Sequence, residues 1–245
     1  MVRLRAALVL ILLHPGAAAA DMMVPPHTGW PQPAGPGTAV VITYSFSNLL
    51  DGSFPVLTSA ELHQATVEAL LTWAAHAPLH FVEQIDSGPA VSDTPYPPGN
   101  HPQIRIGHHP MTDLAHAFLP DSPDGLAGDV HLNPGIPWGL AGTKWNVLEA
   151  LTHEAGHAIG LGHIDDEPSV MNPFFPQPLF GALGSAFLFP GDIRRLQAIY
   201  GGGSGSVQPL APPVPEPATV LLVATGLGWI VDQRRRRRRL SARRC

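Results

Sequence analysis

The sequence predicts one α+β domain, and three observations predict it. Segments of strand length, rich in β-branched and aromatic residues, are interspersed with stretches whose apolar residues recur at helical spacing. The 245 residues are 44% hydrophobic and 13% charged, enough to bury one core and too few for two large ones. The 28 prolines and 25 glycines require long irregular connections between the elements.

Taken in order, Val40 to Phe46 (VVITYSF) is β-branched and aromatic and reads as a strand. Thr58-Ser59-Ala60-Glu61 fits a capping box. Leu62, Ala65, Val67, Ala69, Leu70, Trp73 and Ala74 then give a helix an apolar face to about His76. Leu79 to Gln84 and Gln103 to His108 are the next strands, the latter with alternating Ile104 and Ile106; Leu114 to Leu119 and Asp129 to Asn133 are two shorter ones. Loops rich in Pro, Asp and Gly part them, chiefly Asp86 to Pro102 and Pro120 to Gly128. A second helix is expected from about Lys144 to Ile159. A third runs from about Gly191 to Tyr200, where Ile193, Leu196, Ile199 and Tyr200 share a side.

Charge is segregated along the chain. The only basic residues between Asp21 and Pro217 are Arg105, Lys144, Arg194 and Arg195, so the body is strongly acidic, which argues against nucleic acid as a partner. The single cysteine, Cys245, excludes an internal disulfide and a cysteine-based zinc finger. Arg3 and Arg5, the apolar run Ala6 to Leu13 and the small residues Ala17 to Ala20 form a secretory leader pattern, making 1–20 a signal peptide and 21–36 a Pro-rich linker.

At the other end, the Gly/Ser/Pro-rich stretch 202–213 reads as a linker. Ala218 to Val231 would form an apolar helix of about 21 Å, short of the ~30 Å hydrocarbon core unless its flanks contribute, with Arg234 to Arg239 held on the cytoplasmic side. Val214-Pro215-Glu216-Pro217, then this short helix, then the arginine cluster, resembles a PEP-CTERM sorting tail over 214–245. That resemblance implies a Gram-negative bacterium whose exosortase-type enzyme reads the motif and removes the helix. The body would then be exported, transiently membrane-anchored, to the periplasm, cell surface or extracellular matrix.

The chemistry is concentrated in His153-Glu154-Ala155-Gly156-His157-Ala158-Ile159-Gly160-Leu161-Gly162-His163. His153 and His157 are four residues apart, so on a helix both imidazoles leave one face and can share a metal. His163, ten residues past His153, would lie ~15 Å along the same straight helix, so the helix must end. Gly160 is where it can, because glycine accepts the left-handed conformation that turns the chain back. Three neutral imidazoles leave Zn²⁺ its full charge and a fourth position for water, whose pKa falls from ~15.7 towards ~7. Glu154 would take that proton as the zinc-bound water attacks a carbonyl, and pass it to the leaving amine.

This eleven-residue pattern, with Ser169-Val170-Met171 eight residues after its third histidine, resembles the metzincin signature and its Met-turn. Met171 would form an apolar base under the imidazoles. Leu114-Ala115-His116-Ala117-Phe118, Gly128-Asp129-Val130-His131 and Asp192-Ile193-Arg194-Arg195-Leu196-Gln197-Ala198-Ile199-Tyr200-Gly201 further resemble the matrixin branch, over a catalytic domain at 37–201. The resemblance implies a twisted five-stranded, mostly parallel sheet with one antiparallel edge strand and three helices. It implies an exported zinc endopeptidase whose extended peptide substrate lies along the edge strand at Leu114 and Ala115, with Pro173, Phe174 and Phe175 shaping the next pocket. It also implies a second, structural zinc on His116 and His131, for which His108 or His109 with Asp113 are the available completing ligands in a shortened loop. The family's calcium-binding acidic run is replaced by Asn133-Pro134-Gly135-Ile136, so calcium is not expected. A monomer is expected. The rival readings are a matrix or binding protein that keeps the fold without turnover, and a zinc hydrolase of small amides or esters.

Overall fold

The computed structural model describes residues 8–10, 29–97, 101–123, 125–174 and 178–210. The expected leader boundary, the first half of the 21–36 stretch and the sorting tail lie outside the described residues. The chain divides into two units, Met1–Pro209 and Leu210–Cys245, and every strand and helix of the described residues belongs to the first.

Seven strands form one sheet: β1 (Leu8–Leu10), β2 (Val40–Phe46), β3 (Leu79–Glu83), β4 (Ile104–His108), β5 (Ala115–Phe118), β6 (Val130–Leu132) and β7 (Ser206–Gln208). Their order is β1-β5-β6-β4-β2-β3-β7. The five expected strands are the inner five, with β5 antiparallel to β6 and the β6-β4-β2-β3 pairings parallel. Two three-residue strands extend the sheet beyond that expectation. Ser206–Gln208, in the stretch expected as linker, pairs with β3 because Gly205, lacking a Cβ, lies directly against the Leu79 backbone. Leu8–Leu10, in the run expected as a leader, pairs antiparallel with β5.

Among the described residues, three helices accompany the sheet: α1 (Ser59–Ala74), α2 (Val147–Ala158) and α3 (Pro190–Tyr200). The Thr58 hydroxyl accepts the Glu61 N–H at 3.2 Å while the Glu61 carboxylate accepts the Thr58 N–H at 2.8 Å, closing the capping box that starts α1. Val67, expected on the apolar face, is only half-buried, and Thr66 takes the inward position with its hydroxyl donating to Leu62 O at 2.9 Å. Helix α2 begins three residues later than expected. Asn146 accepts the N–H groups of Leu148 and Glu149 and ends the preceding loop at Val147.

Side chains from α1 (Thr66, Ala69, Leu70), from β4 and β6 (Ile104, Ile106, Val130) and from α2 (Leu151, Ala155) meet around one void, so both helices cover the same sheet face. Trp73 of α1 donates its indole N–H to Thr152 O of α2 at 2.8 Å, locking the helices together. All twelve residues of α2 are buried, polar ones included, which makes it the helix around which the site is built.

Candidate metal centres

Helix α2 ends as its glycine requires. Gly160 has φ +100°, Gly160 N–H donates to His157 O at 2.8 Å, and Leu161 N–H donates to Gly156 O at 2.9 Å. This paired-bond terminus reverses the chain and brings His163 back against the helix. The ring centroids of His153, His157 and His163 are then 4.7, 4.8 and 5.4 Å apart, so the first constellation read from the sequence is assembled.

The tautomers follow from the partners. Nδ1 of His153 lies 2.7 Å from Val170 O, and Nδ1 of His157 lies 2.7 Å from Leu161 O. A carbonyl only accepts, so both Nδ1 atoms carry hydrogen and both Nε2 atoms carry lone pairs. Those two Nε2 atoms face each other at 3.0 Å. Two lone pairs cannot bond one another, but two nitrogens about 2.1 Å from one tetrahedral ion stand ~3.4 Å apart. His163 Nε2 is buried with no hydrogen-bond partner among the described residues. Burial holds His153 down at about 3 and His163 at about 4, so both rings are neutral at neutral pH.

Glu154 is fully buried, and neither carboxylate oxygen has a hydrogen-bond partner among the described residues. Desolvation pushes its pKa well above the ordinary carboxylate range. Met171 is fully buried, and a side chain at Gly156 would run into its Sδ, so the thioether packs against α2 between the two helical ligands. The residue that holds this turn, Asp192 at the start of α3, went unread in the sequence. Its carboxylate accepts from Ser169 Oγ, Val170 N at 3.0 Å and Phe189 N at 3.0 Å. Its only sequence signal is an acid in a helix's first turn.

A second cluster forms across β5 and β6, where His116 and His131 are direct cross-strand partners. His109 Nε2 and His116 Nε2 lie 3.2 and 3.0 Å from His131 Nδ1. The carboxylate comes from Asp93, whose Oδ1 is 3.2 Å from His109, 2.8 Å from His116 and 3.3 Å from His131. This corrects the expected completion of the site. Asp113 is not in the cluster; its carbonyl accepts from Asn133 Nδ2 at 2.9 Å, and His108 instead faces Asp51 at 3.1 Å. Three nitrogens and one oxygen, all within 4.8 Å of one another, form a group that could hold a metal ion.

The Asp93 carboxylate is held well below the usual range, by the His131 hydrogen bond above all. Burial lowers His116 to about 4. For His131 burial also lowers, but the Asp129 and Asp93 carboxylates outweigh it and the pKa rises.

Asp93 is delivered from the 84–97 loop, and Arg105 anchors that loop. Between Ile104 and Ile106, which face the helices, Arg105 points to the opposite sheet face and is completely buried. Its Nε and Nη2 hold both oxygens of Asp86, at 2.9 and 3.0 Å, and Nη2 also donates to Pro89 O. Nothing in residue spacing announced this, because Asp86, Asp93 and Arg105 meet only after the loop closes.

The expected substrate residues divide. Leu114 and Ala115 line a cavity of about 350 Å³ with Trp138, Trp145, Glu149 and Pro178. Pro173 and Phe174 are not among its walls, and Phe175 lies outside the described residues. Phe174 is exposed, and the cavity walls come from Leu114 and Ala115, the loop before α2, α2 itself and Pro178.

Comparison with known proteins agrees with this geometry. The family model described as Matrixin matches residues 37–201. Human neutrophil collagenase is 31% identical over 211 residues, covering 83% of this chain and 43% of that protein. Bovine interstitial collagenase is 30% identical over 206 residues (82% and 42%), and human matrix metalloproteinase-20 is 34% identical over 149 residues (60% and 29%). The chain thus spans less than half the length of these relatives.

Proposed function

Since the chain belongs to the matrixin family, we propose that it is a zinc-dependent endopeptidase whose metal is held by His153, His157 and His163 and whose general base is Glu154. One observation carries the reading: three inward imidazole nitrogens beside a buried carboxylate whose oxygens both lack partners. A bare metal store has no use for that carboxylate, whose burial is costly. Zinc bound there would polarise a peptide carbonyl and acidify water. The backbone carbonyls of Val170 and Leu161 keep two rings in the ligating tautomer, Met171 fills the space against α2, and Glu154 takes the proton from the attacking water and gives it to the leaving amine.

The Asp93-His109-His116-His131 group supports a second, structural zinc that ties loop 84–97 to β5 and β6. The outer edge of β5, on which Leu8–Leu10 lies as an antiparallel strand, supports an extended peptide or protein as substrate. The leader pattern and the Val214 to Arg239 layout support export and sorting by an exosortase-type enzyme.

The test is cleavage of a mixed peptide pool by the wild-type protein and Glu154→Ala, with zinc measured in both. Equal zinc and a rate lower by about 10²-fold or more in the variant are expected. Equal rates would remove Glu154 from the mechanism, and zinc binding without cleavage by either would favour a non-catalytic role.

A further inference from the structure

The cavity beside β5 is apolar over most of its wall, and its polar members are Lys144, Asn146 and Glu149. Glu149 lines it while only 2% exposed, and its Oε1 is buried with no hydrogen-bond partner among the described residues. Oε2 is already committed, accepting from Leu179 N at 2.7 Å and Phe180 N at 3.3 Å. A buried carboxylate oxygen left unpaired is costly unless a donor arrives from elsewhere.

Position indicates where that donor comes from. Glu149 and His153 are four residues apart on α2, so they share a face and are separated by about 6 Å along the axis. Leu114 and Ala115, at the start of β5, also line the cavity. The outer edge of β5 is paired with an antiparallel strand, Leu8–Leu10 opposite His116 to Phe118, and a peptide substrate would take that place. A peptide running in that direction carries the residues after its scissile bond towards Leu114, and so over the cavity.

We propose that this cavity receives the side chain following the scissile bond, and that Glu149 selects a lysine or arginine there. The apolar stem of such a side chain fits between Trp138, Trp145 and Pro178, and its cationic head supplies the donor that Oε1 lacks. An apolar side chain of equal length leaves the oxygen unpaired, and a site built around a hydrogen bond rejects the analogue without it. Lys144 stands at the same cavity, its Nζ 4.3 Å from the Trp145 ring centroid, and its charge opposes the incoming cation. The proposal rests on the endopeptidase reading and names its substrate class.

Two peptides differing only at that position, lysine against norleucine, isolate the ammonium. Wild type should cleave the lysine peptide with kcat/KM about tenfold or more above the norleucine peptide. Glu149→Gln, which keeps an acceptor for Leu179 and Phe180, should bring the ratio near one, and Lys144→Met should raise it. The ratio does not depend on how much enzyme is folded. Binding of the same pair to Glu154→Ala, followed by tryptophan fluorescence, should show the same order. A wild-type ratio at or below one, or a ratio that Glu149→Gln leaves unchanged, overturns the proposal and leaves the endopeptidase reading standing. Preferential binding of the lysine peptide with hydrolysis of neither supports the pocket and overturns the endopeptidase reading. Absence of binding to either peptide overturns both.

Discussion

Glu154 shows at the residue scale how function is placed against stability. Its carboxyl is buried with nothing to solvate the charge, so in the metal-free protein the folded pKa lies above the unfolded one. The unfolded chain then releases its proton first, near the ordinary value of 4.5, and stability falls as pH rises from there towards the folded pKa. Glu154→Gln carries no such proton. In chelator, the variant should match wild type in Tm near pH 4.5 and exceed it by about 3 °C or more at pH 8. Thermal unfolding at the two pH values checks this, and a gap that is the same at both would show that burial of the charge is not the cause. The place of Glu154 beside the histidine cluster was legible because it adjoins His153 in the chain. That of Glu149 was not: a glutamate in a helix's first turn ordinarily favours the helix dipole, and only packing against Leu179 and Phe180 buries it.

Among the elements, the α2 terminus bears the most on the site. Gly160 at φ +100° lets one short turn return His163 to the helix that holds His153 and His157. Gly160→Ala places a Cβ in the left-handed region and should cost about 1–3 kcal/mol in urea unfolding. It should also speed zinc loss to a chelator, measured by metal analysis after timed dialysis. Retention equal to wild type would mean that the turn does not position His163. Elements with strong local signals were read closely: the α1 capping box and VVITYSF stand where expected. The exceptions have tertiary causes. Asn146 shortens α2 by capping it while its amide also donates to Phe180 O and Gly181 O at 2.9 Å each, and β7 exists only because β3 offers a free edge to three residues after a glycine.

For the whole molecule, the second metal group joins parts far apart in sequence: loop 84–97, the end of β4, β5 and β6. Metal bound there stabilises the fold by the ligation free energy. Asp93→Asn should lower zinc from two per chain towards one, and should lower Tm in zinc-containing buffer while leaving Tm in chelator close to wild type. Two zinc ions retained by the variant would remove Asp93 from the ligand set. The sequence by itself determined the arrangement of the first cluster, because His153, Glu154, His157, Gly160 and His163 need only one helix and one turn, and such geometry is written in residue spacing. Only the tertiary structure decided which carboxylate joins His109, His116 and His131, what fastens its loop, and that Glu149 faces a cavity with an oxygen to spare. Those contacts arise when separate segments close on one another, and chain spacing holds no record of the distances they will have.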